Sequence, residues 1–242
     1  MFLFVSDLHL DGSAPDAIEQ FVDWLGGAAR DAQAVYVLGD LFESWIGDDD
    51  DDPARARACA ALQALTSAGV PCFVMRGNRD FMLGAGFEAR TGCRLLPDPV
   101  IAEFDGRPVV LTHGDLLCTD DHAYQELRST VRDPRWQRRV LGLPLATRAL
   151  LAAAARAGSK AHLERAAATI MDVNMQAVAQ LFRSTGVDTM IHGHTHRPAI
   201  HTVDVDGRPC RRAVLGAWYE QGHLLRWRNG ELDMIVLPRR QR

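Results

Sequence analysis

Phe2-Leu3-Phe4-Val5-Ser6-Asp7-Leu8-His9 and Ala34-Val35-Tyr36-Val37-Leu38-Gly39-Asp40 are the stretches that decide the fold. Each is an apolar run of strand length that ends in a turn carrying a carboxylate. Aromatic and β-branched side chains in a run this short favour a strand over a helix fragment, and unbroken apolarity predicts a strand covered on both faces. The same grammar recurs at residues 71–75, 108–112 and 189–191. Between the first two runs, over residues 15–30, Ile18, Phe21, Val22 and Leu25 fall at helical spacing. Between the second and third, Pro53 near the start and Gly69 at the end punctuate a helix over 53–68. A strand-helix-strand-helix-strand opening predicts parallel strands with crossover helices.

Working outward, residues 121–185 read as helical, with Asn174 as the N-cap of a helix bearing Val178, Leu181 and Phe182. Beyond the run at 189–191 the texture changes, and Asp206-Gly207 and Asn229-Gly230 mark hairpins. The expected fold class is α/β: one domain over 1–242, two stacked β-sheets flanked by helices, with a helical lid inserted at about 119–185. The chain shows no fixed-period repeat and no linker of domain-boundary composition.

Composition narrows the function. With a formal net charge of −4 and a quarter of residues charged, a folded protein without global attraction to nucleic acid is expected. Five scattered cysteines, Cys59, Cys72, Cys93, Cys118 and Cys210, form no CxxC pair and read as buried free thiols of a reducing compartment. The N-terminus lacks a basic segment and meets Asp7 too early for a signal peptide, and Pro144, Arg148 and Arg156 interrupt the apolar stretch 140–157 before it could span a bilayer. A cytoplasmic location is expected, with no obligate protein partner evident.

The chemistry sits at the strand ends, which line the functional crevice in open α/β sheets. In order they deliver Asp7-Leu8-His9, Asp40 in Gly39-Asp40, Asn78 in Gly77-Asn78-Arg79-Asp80, His113 in His113-Gly114-Asp115, and His194 and His196 in Gly193-His194-Thr195-His196. Four imidazoles, two carboxylates and an amide oxygen exceed one tetrahedral zinc site. Two divalent ions sharing a bridging carboxylate would use them all. Mixed nitrogen and oxygen donors without thiolate suit manganese, iron or zinc, and paired ions about 3.5–4 Å apart are a common device for displacement at phosphorus.

These motifs resemble those of the calcineurin-like metallophosphoesterases, over residues 7–196. The Gly-Asn-Arg-Asp form of the third motif, the helical insertion and Ile170-Met171-Asp172-Val173-Asn174 are more narrowly similar to the UDP-2,3-diacylglucosamine hydrolases of lipid A synthesis. That resemblance implies cleavage of the diphosphate to UMP and 2,3-diacylglucosamine 1-phosphate by a hydroxide that attacks the α-phosphorus between two divalent ions, expected to be Mn²⁺. It implies Asp7, His9 and His196 on one ion, Asn78, His113 and His194 on the other, and Asp40 bridging. Asp40, Arg79 and His194 would then carry catalysis, with Asn78, Arg79, Asp121, Ser159 and His194 meeting substrate. Family lid positions for Asn or Thr and for Lys are Leu163 and Ala166 here, so Lys160 or Arg165 would compensate.

Arg79 stands where many relatives in the superfamily carry a histidine acid. A guanidinium cannot donate a proton at neutral pH but holds phosphate well, which favours an anhydride with a stable leaving group. From Arg128 to Arg165, nine Lys or Arg face two acids, interleaved with Trp136 and leucines including Leu150 and Leu151, which are expected to receive acyl chains. Such a cap also suits an anionic membrane surface and peripheral association with the inner membrane. Other phosphoester substrates, such as dinucleoside polyphosphates, cyclic nucleotides or phosphoproteins, are the alternative, followed by a non-catalytic scaffold that would have lost ligands. Among nearby residues, Glu43 is expected to support a ligand or its helix, Asp80 to orient Asn78 or Arg79 or else to serve a turn or salt bridge, His192 to point away, and the acidic run 48–52 to be a solvated loop before a helix N-terminus.

Overall fold

The computed structural model describes residues 1–165 and 172–239, and of residues 159–165 the backbone alone. Ser159, Lys160, Leu163, Arg165 and Ala166 therefore lie outside the described side chains. Eleven strands form two sheets, in the orders β11-β10-β1-β2-β3-β4 and β5-β6-β7-β9-β8. In the first, β1 (Phe2–Val5), β2 (Ala34–Leu38), β3 (Cys72–Met75) and β4 (Arg94–Leu96) run parallel, with β10 (Gly222–Arg228) antiparallel to β1 and β11 (Glu231–Leu237) completing the edge. The second sheet joins β5 (Val100–Phe104), β6 (Arg107–Leu111), β7 (Thr189–His192), β8 (Ala199–Val205) and β9 (Arg208–Val214), with β6, β7 and β9 parallel.

The period of two along each strand divides its side chains between two cores. Phe4 on β1 and Tyr36 and Leu38 on β2 point between the sheets, against Phe104, Leu111, Ile191 and Trp227. Leu3, Val5, Val35 and Val37 point the other way, onto α1 (Pro15–Gly26), α2 (Pro53–Ser67) and α3 (Ala85–Thr91) through Ile18, Phe21, Leu62 and Phe87. The outer face of the second sheet is covered by α7 (Met175–Thr185), whose Val178 and Phe182 pack on Val110 and Met190. The result is helices, sheet, sheet and helix in layers, and the continuous apolarity of β1 and β2 follows because both their faces are buried. Asn174 caps α7, its Oδ1 accepting the N–H groups of Gln176 and Ala177.

Three elements had no clear signal in the sequence: α3, the short β4, and β5, which pairs with β6 through Asp105-Gly106, both at positive φ. The segment between the second sheet and α7 holds α4 (His122–Val131), α5 (Pro134–Leu141) and α6 (Leu145–Arg165). α4 and α5 contain no fully buried residue, and α5 meets the helix-covered core only at its margin, through half-buried Trp136 and Val140. Polar contacts add further ties. Arg128 Nε donates to Asp115 Oδ2 at 2.8 Å, Arg132 donates to the Gly77 carbonyl at 3.0 Å, and buried Arg148 donates to the Ile46 carbonyl at 2.5 Å and pairs with Asp49. Among the described residues, no helix is long and apolar enough to cross a membrane.

The acidic run is solvated only in part: Asp49 and Asp51 are exposed, while the other three are bound. Asp48 accepts N–H bonds from the Trp45 indole, Gly84 and Gly86, Asp50 is buried against Arg55, and Asp52 caps α2 by accepting the Arg55 backbone N–H. Five acids in a row are tolerated because donors from α2, α3 and α6 meet four of them and water reaches Asp51. The five cysteines are free and buried.

Candidate metal centre

Each ligand-bearing motif begins where a parallel strand leaves its sheet, and the loops are zipped together by backbone hydrogen bonds. Asp7 N–H donates to Gly39 O at 3.1 Å, His9 N–H to Asp40 O at 3.0 Å, and Gly193 N–H to His113 O at 2.9 Å. Asp7, His9, Asp40, His194 and His196 all have φ between 49° and 68°. L-residues avoid this left-handed region unless packing over-determines them, and such strain gathers at functional sites. Two glycines make the approach possible. A Cβ on Gly77 would sit 2.0 Å from Asp40 Oδ1, and one on Gly193 would sit 2.2 Å from Ser6 Oγ and 2.4 Å from Asp7 Oδ2.

The donors converge on one spot. The ligand atoms of Asp7, His9 and His196 lie within 4.8 Å of one another, as do those of Asp7, Asp40 and His113. His9 Nε2 is 3.4 Å from His196 Nε2 and 3.8 Å from Asp40 Oδ2, while His113 Nε2 is 3.8 Å from Asp40 Oδ1. Asp40 thus stands between His9 and His113, and Asp7 reaches both groups. Asn78 Oδ1 lies 2.9 Å from His113 Nε2 and 3.0 Å from His194 Nδ1.

Hydrogen bonds behind the donors fix their direction. His9 Nδ1 faces Glu43 Oε2 at 2.9 Å and His113 Nδ1 faces the Leu38 carbonyl at 2.9 Å, so each ring donates backward and turns Nε2 to the cluster. Asp7 Oδ2 accepts from Ser6 Oγ at 2.5 Å and from His194 N–H at 2.9 Å, leaving Oδ1 toward His196. The Arg79 backbone N–H donates to Asp40 Oδ1 at 2.8 Å.

This donor set fits a cation. With Nδ1–H spent on Leu38, a neutral His113 would direct a lone pair at the Asn78 oxygen, an arrangement that a shared cation relieves while keeping the amide oxygen turned inward. Burial opposes charge on His113, but the carboxylates of Asp40, Asp115 and Asp7 outweigh it and raise the imidazole to about 9. Burial and the positive His113 push His194 down to about 4. Asp7 is held below the usual carboxylate range: burial pulls upward, yet the hydrogen bond from His196 and the charges of His113, His196 and His9 prevail. Nitrogen, carboxylate and amide donors without thiolate form a borderline-hard set suited to first-row divalent ions.

Residues 1–198 match the calcineurin-like phosphoesterases. The chain belongs to that family. It is 50% identical over 244 residues, 98% of both chains, to a UDP-2,3-diacylglucosamine hydrolase of Stenotrophomonas maltophilia strain K279a. A second, from strain R551-3 of that species, is 52% identical over 93% of both chains, and one from Xanthomonas campestris pv. campestris strain ATCC 33913 is 49% identical over 93% of this chain and 94% of its own. As a member of this family it is a metal-dependent hydrolase.

The ligand cluster opens into a cavity of about 580 Å³, lined also by Arg79, Asp121, Tyr124, Leu127, Ala155, Gly158, Arg197 and Tyr219. Asp121 caps α4, accepting the Tyr124 backbone N–H at 3.0 Å. Arg79 stands 3.8 Å from Glu43 Oε1, so one carboxylate steadies both His9 and the guanidinium.

The structure refines the roles expected of Asp80, Leu150 and Leu151 and adds two aromatic residues to the site. Asp80 takes the turn role, accepting the Gly77 N–H within its own loop, and reaches further to the N–H groups of Leu41 and Phe42, clamping two ligand loops; burial with the nearby Asp40 lifts it to about 6. Leu150 and Leu151 are 73% and 49% exposed, and α6 offers Ala155 and Gly158 to the cavity in their place. Tyr124 and Tyr219 were overlooked. Tyr124 stacks on His194 with centroids 6.0 Å apart and donates its hydroxyl to Asp115 at 2.6 Å, whereas Tyr219 stacks on His9 at 5.3 Å. The Asp of His113-Gly114-Asp115 was a usable signal for the first; nothing near Tyr219 marked the second. His192 points away as expected, donating Nδ1–H to Gly193 O and meeting Arg212 through Nε2.

Proposed function

We propose that this chain hydrolyses the diphosphate of UDP-2,3-diacylglucosamine, releasing UMP and 2,3-diacylglucosamine 1-phosphate. The observation that carries this reading is the 50% identity over 98% of both chains to a hydrolase of that name. The site supports it: a ligand cluster floors a cavity walled by apolar residues of α4 and α6, with Arg79 at its edge.

Asp7, His9 and His196 would hold one divalent ion, Asn78, His113 and His194 the other, with Asp40 between them and Mn²⁺ as the resident metal. Bound there, such ions lower the pKa of water and offset the charge that develops on the phosphoryl oxygens. Within this arrangement the chain's own groups position and exclude. The Arg79 guanidinium binds a phosphate of the diphosphate and cannot protonate the leaving group, which departs as a stable phosphate anion. Asp121, Ser159, Lys160 and Arg165 contact the substrate from the lid, and Leu127, Ala123 and Ala155 line its acyl side and keep water from it. The enzyme works in the cytoplasm, at the inner face of the inner membrane, where its basic α5 meets anionic lipid and delivers the acylated substrate.

The test is to incubate manganese-loaded protein with UDP-2,3-diacylglucosamine in water enriched in ¹⁸O. UMP carrying the label is expected. Labelled sugar 1-phosphate would place the attack on the other phosphorus, and intact substrate would sink the proposal.

A further inference from the structure

We propose that Tyr219 is the platform on which the nucleobase of the substrate packs, so that the loop between β9 and β10 sets recognition of the uridine nucleotide half. The inference rests on the function proposed above and assigns one half of that substrate to one wall of the cavity.

The cavity has two kinds of wall. Ala123, Leu127, Ala155 and Gly158, from the inserted helices, are small or apolar and suit acyl chains; on the same side Asp121 caps α4, and Tyr124 has its hydroxyl bound to Asp115 and its ring stacked on His194. The facing loops supply Thr195, His196, Arg197 and Tyr219, a polar and aromatic surface with no long aliphatic side chain. A diacylated sugar gains by burial on the first wall, which leaves the second for the nucleotide.

Tyr219 is held as a platform should be. Its ring lies nearly parallel to His9, at 17° and 5.3 Å between centroids, and edge-on to His196 at 5.4 Å. One face is therefore covered by a metal-cluster residue while the side chain remains 55% exposed. The preceding residue anchors the loop: Trp218 is buried, its backbone N–H donates to Asp7 O at 3.1 Å, and its indole N–H donates to His223 O at 2.8 Å. A ring fixed on both sides offers its open surface without an ordering cost. Stacking needs a flat partner, and the uracil ring is the flat group that the proposed substrate contains.

The experiment measures binding of UMP, ribose 5-phosphate and inorganic phosphate to the manganese-loaded full chain by calorimetry, with metal content determined on every sample. The wild type and Tyr219→Phe should bind UMP roughly tenfold more tightly than ribose 5-phosphate, a typical margin for a base on an aromatic face. Tyr219→Ala should lose that margin while its affinity for ribose 5-phosphate and its metal content hold. A margin retained in Tyr219→Ala overturns the inference, as it would if the ring packed on the sugar instead. Equal weakening of all three ligands together with metal loss also overturns it, because the ring would then only prop His9. Absence of any margin in the wild type overturns it as well. Release of UMP from UDP-2,3-diacylglucosamine is scored separately, so failure of the functional reading is distinguishable from failure of the platform.

Discussion

The metal cluster and the inserted helices are built by opposite means. Asp7 and His113 are fully buried, their loops are cross-linked through backbone hydrogen bonds, and five of the cluster residues occupy left-handed backbone that only dense packing sustains. By contrast α4 and α5 bury no residue fully; apart from the marginal contact of Trp136 and Val140 with the core, α4 to α6 are fastened by arginines: Arg128 to Asp115, Arg132 to Gly77 O, Arg148 to Asp49 and Ile46 O. Packing distributes stability over many atoms, whereas a few charged contacts concentrate it in a few bonds. Elements with little buried apolar surface open at low free energy. The cluster should therefore fail only when its own atoms change, and the insertion should fail one anchor at a time.

The largest effect is expected at the cluster. Asp40→Ala removes the carboxylate between His9 and His113 and should lower turnover by about a thousandfold or more, since charge stabilisation of this kind is worth several kcal/mol. Asp80→Asn keeps the shape but weakens acceptance of three buried N–H groups, so its loss should appear in stability, at about 1–3 kcal/mol, with metal content preserved. Metal analysis and turnover on both variants check this. Equal turnover in the two would break the distinction between ligand and clamp.

Next comes the charge balance of the cluster without metal. His113 is raised to about 9 by Asp40, Asp115 and Asp7 acting against burial, while an unfolded histidine titrates near 6.5. The folded protein thus keeps a proton that the unfolded chain releases. This contribution is complete below about pH 6.5 and is lost as pH rises through 9, on the order of 3 kcal/mol. Urea unfolding of metal-free protein between pH 6.5 and 9 should show the decline, and His113→Asn should flatten it. A flat profile in the parent chain would mean the carboxylates do not hold that proton.

A smaller effect should follow from Arg148→Ala, which releases α6 from the 46–49 loop. Amide exchange within 145–158 should accelerate, and kcat/KM for the acylated substrate should fall about tenfold, a coupling of ordinary size for one anchoring contact. Hydrolysis of a small activated phosphodiester should change little. Parallel loss on both substrates would show that the insertion and the cluster are mechanically one unit. The smallest effect belongs to Leu150→Ser with Leu151→Ser: because both side chains are largely exposed, unfolding free energy should shift by about 0.5 kcal/mol or less. A markedly larger drop in the melting midpoint would place them in a packed contact.

What the sequence by itself determined is the layered core and the composition of the cluster. Apolar runs such as Phe2–Val5 and Ala34–Leu38 can be buried on both faces only as inner strands, and parallel connection brings their ends, hence Asp7, Asp40, Asn78, His113 and His194, to one edge. Local chemistry was legible too: Asn174 caps its helix and Asn229-Gly230 turns its hairpin because those preferences act over a few residues. Only the tertiary structure decided which acids are solvated, where the leucines of α6 face, that Asp80 clamps two loops, and that Tyr124 and Tyr219 stack on His194 and His9. Each of these depends on a partner far away in the chain. Tyr219 lies 210 residues from the ring it covers, and Arg148 is 99 residues from Asp49. Periodicity and spacing report how a segment meets an average environment; a particular hydrogen bond or ring contact requires the particular neighbour, which folding alone supplies.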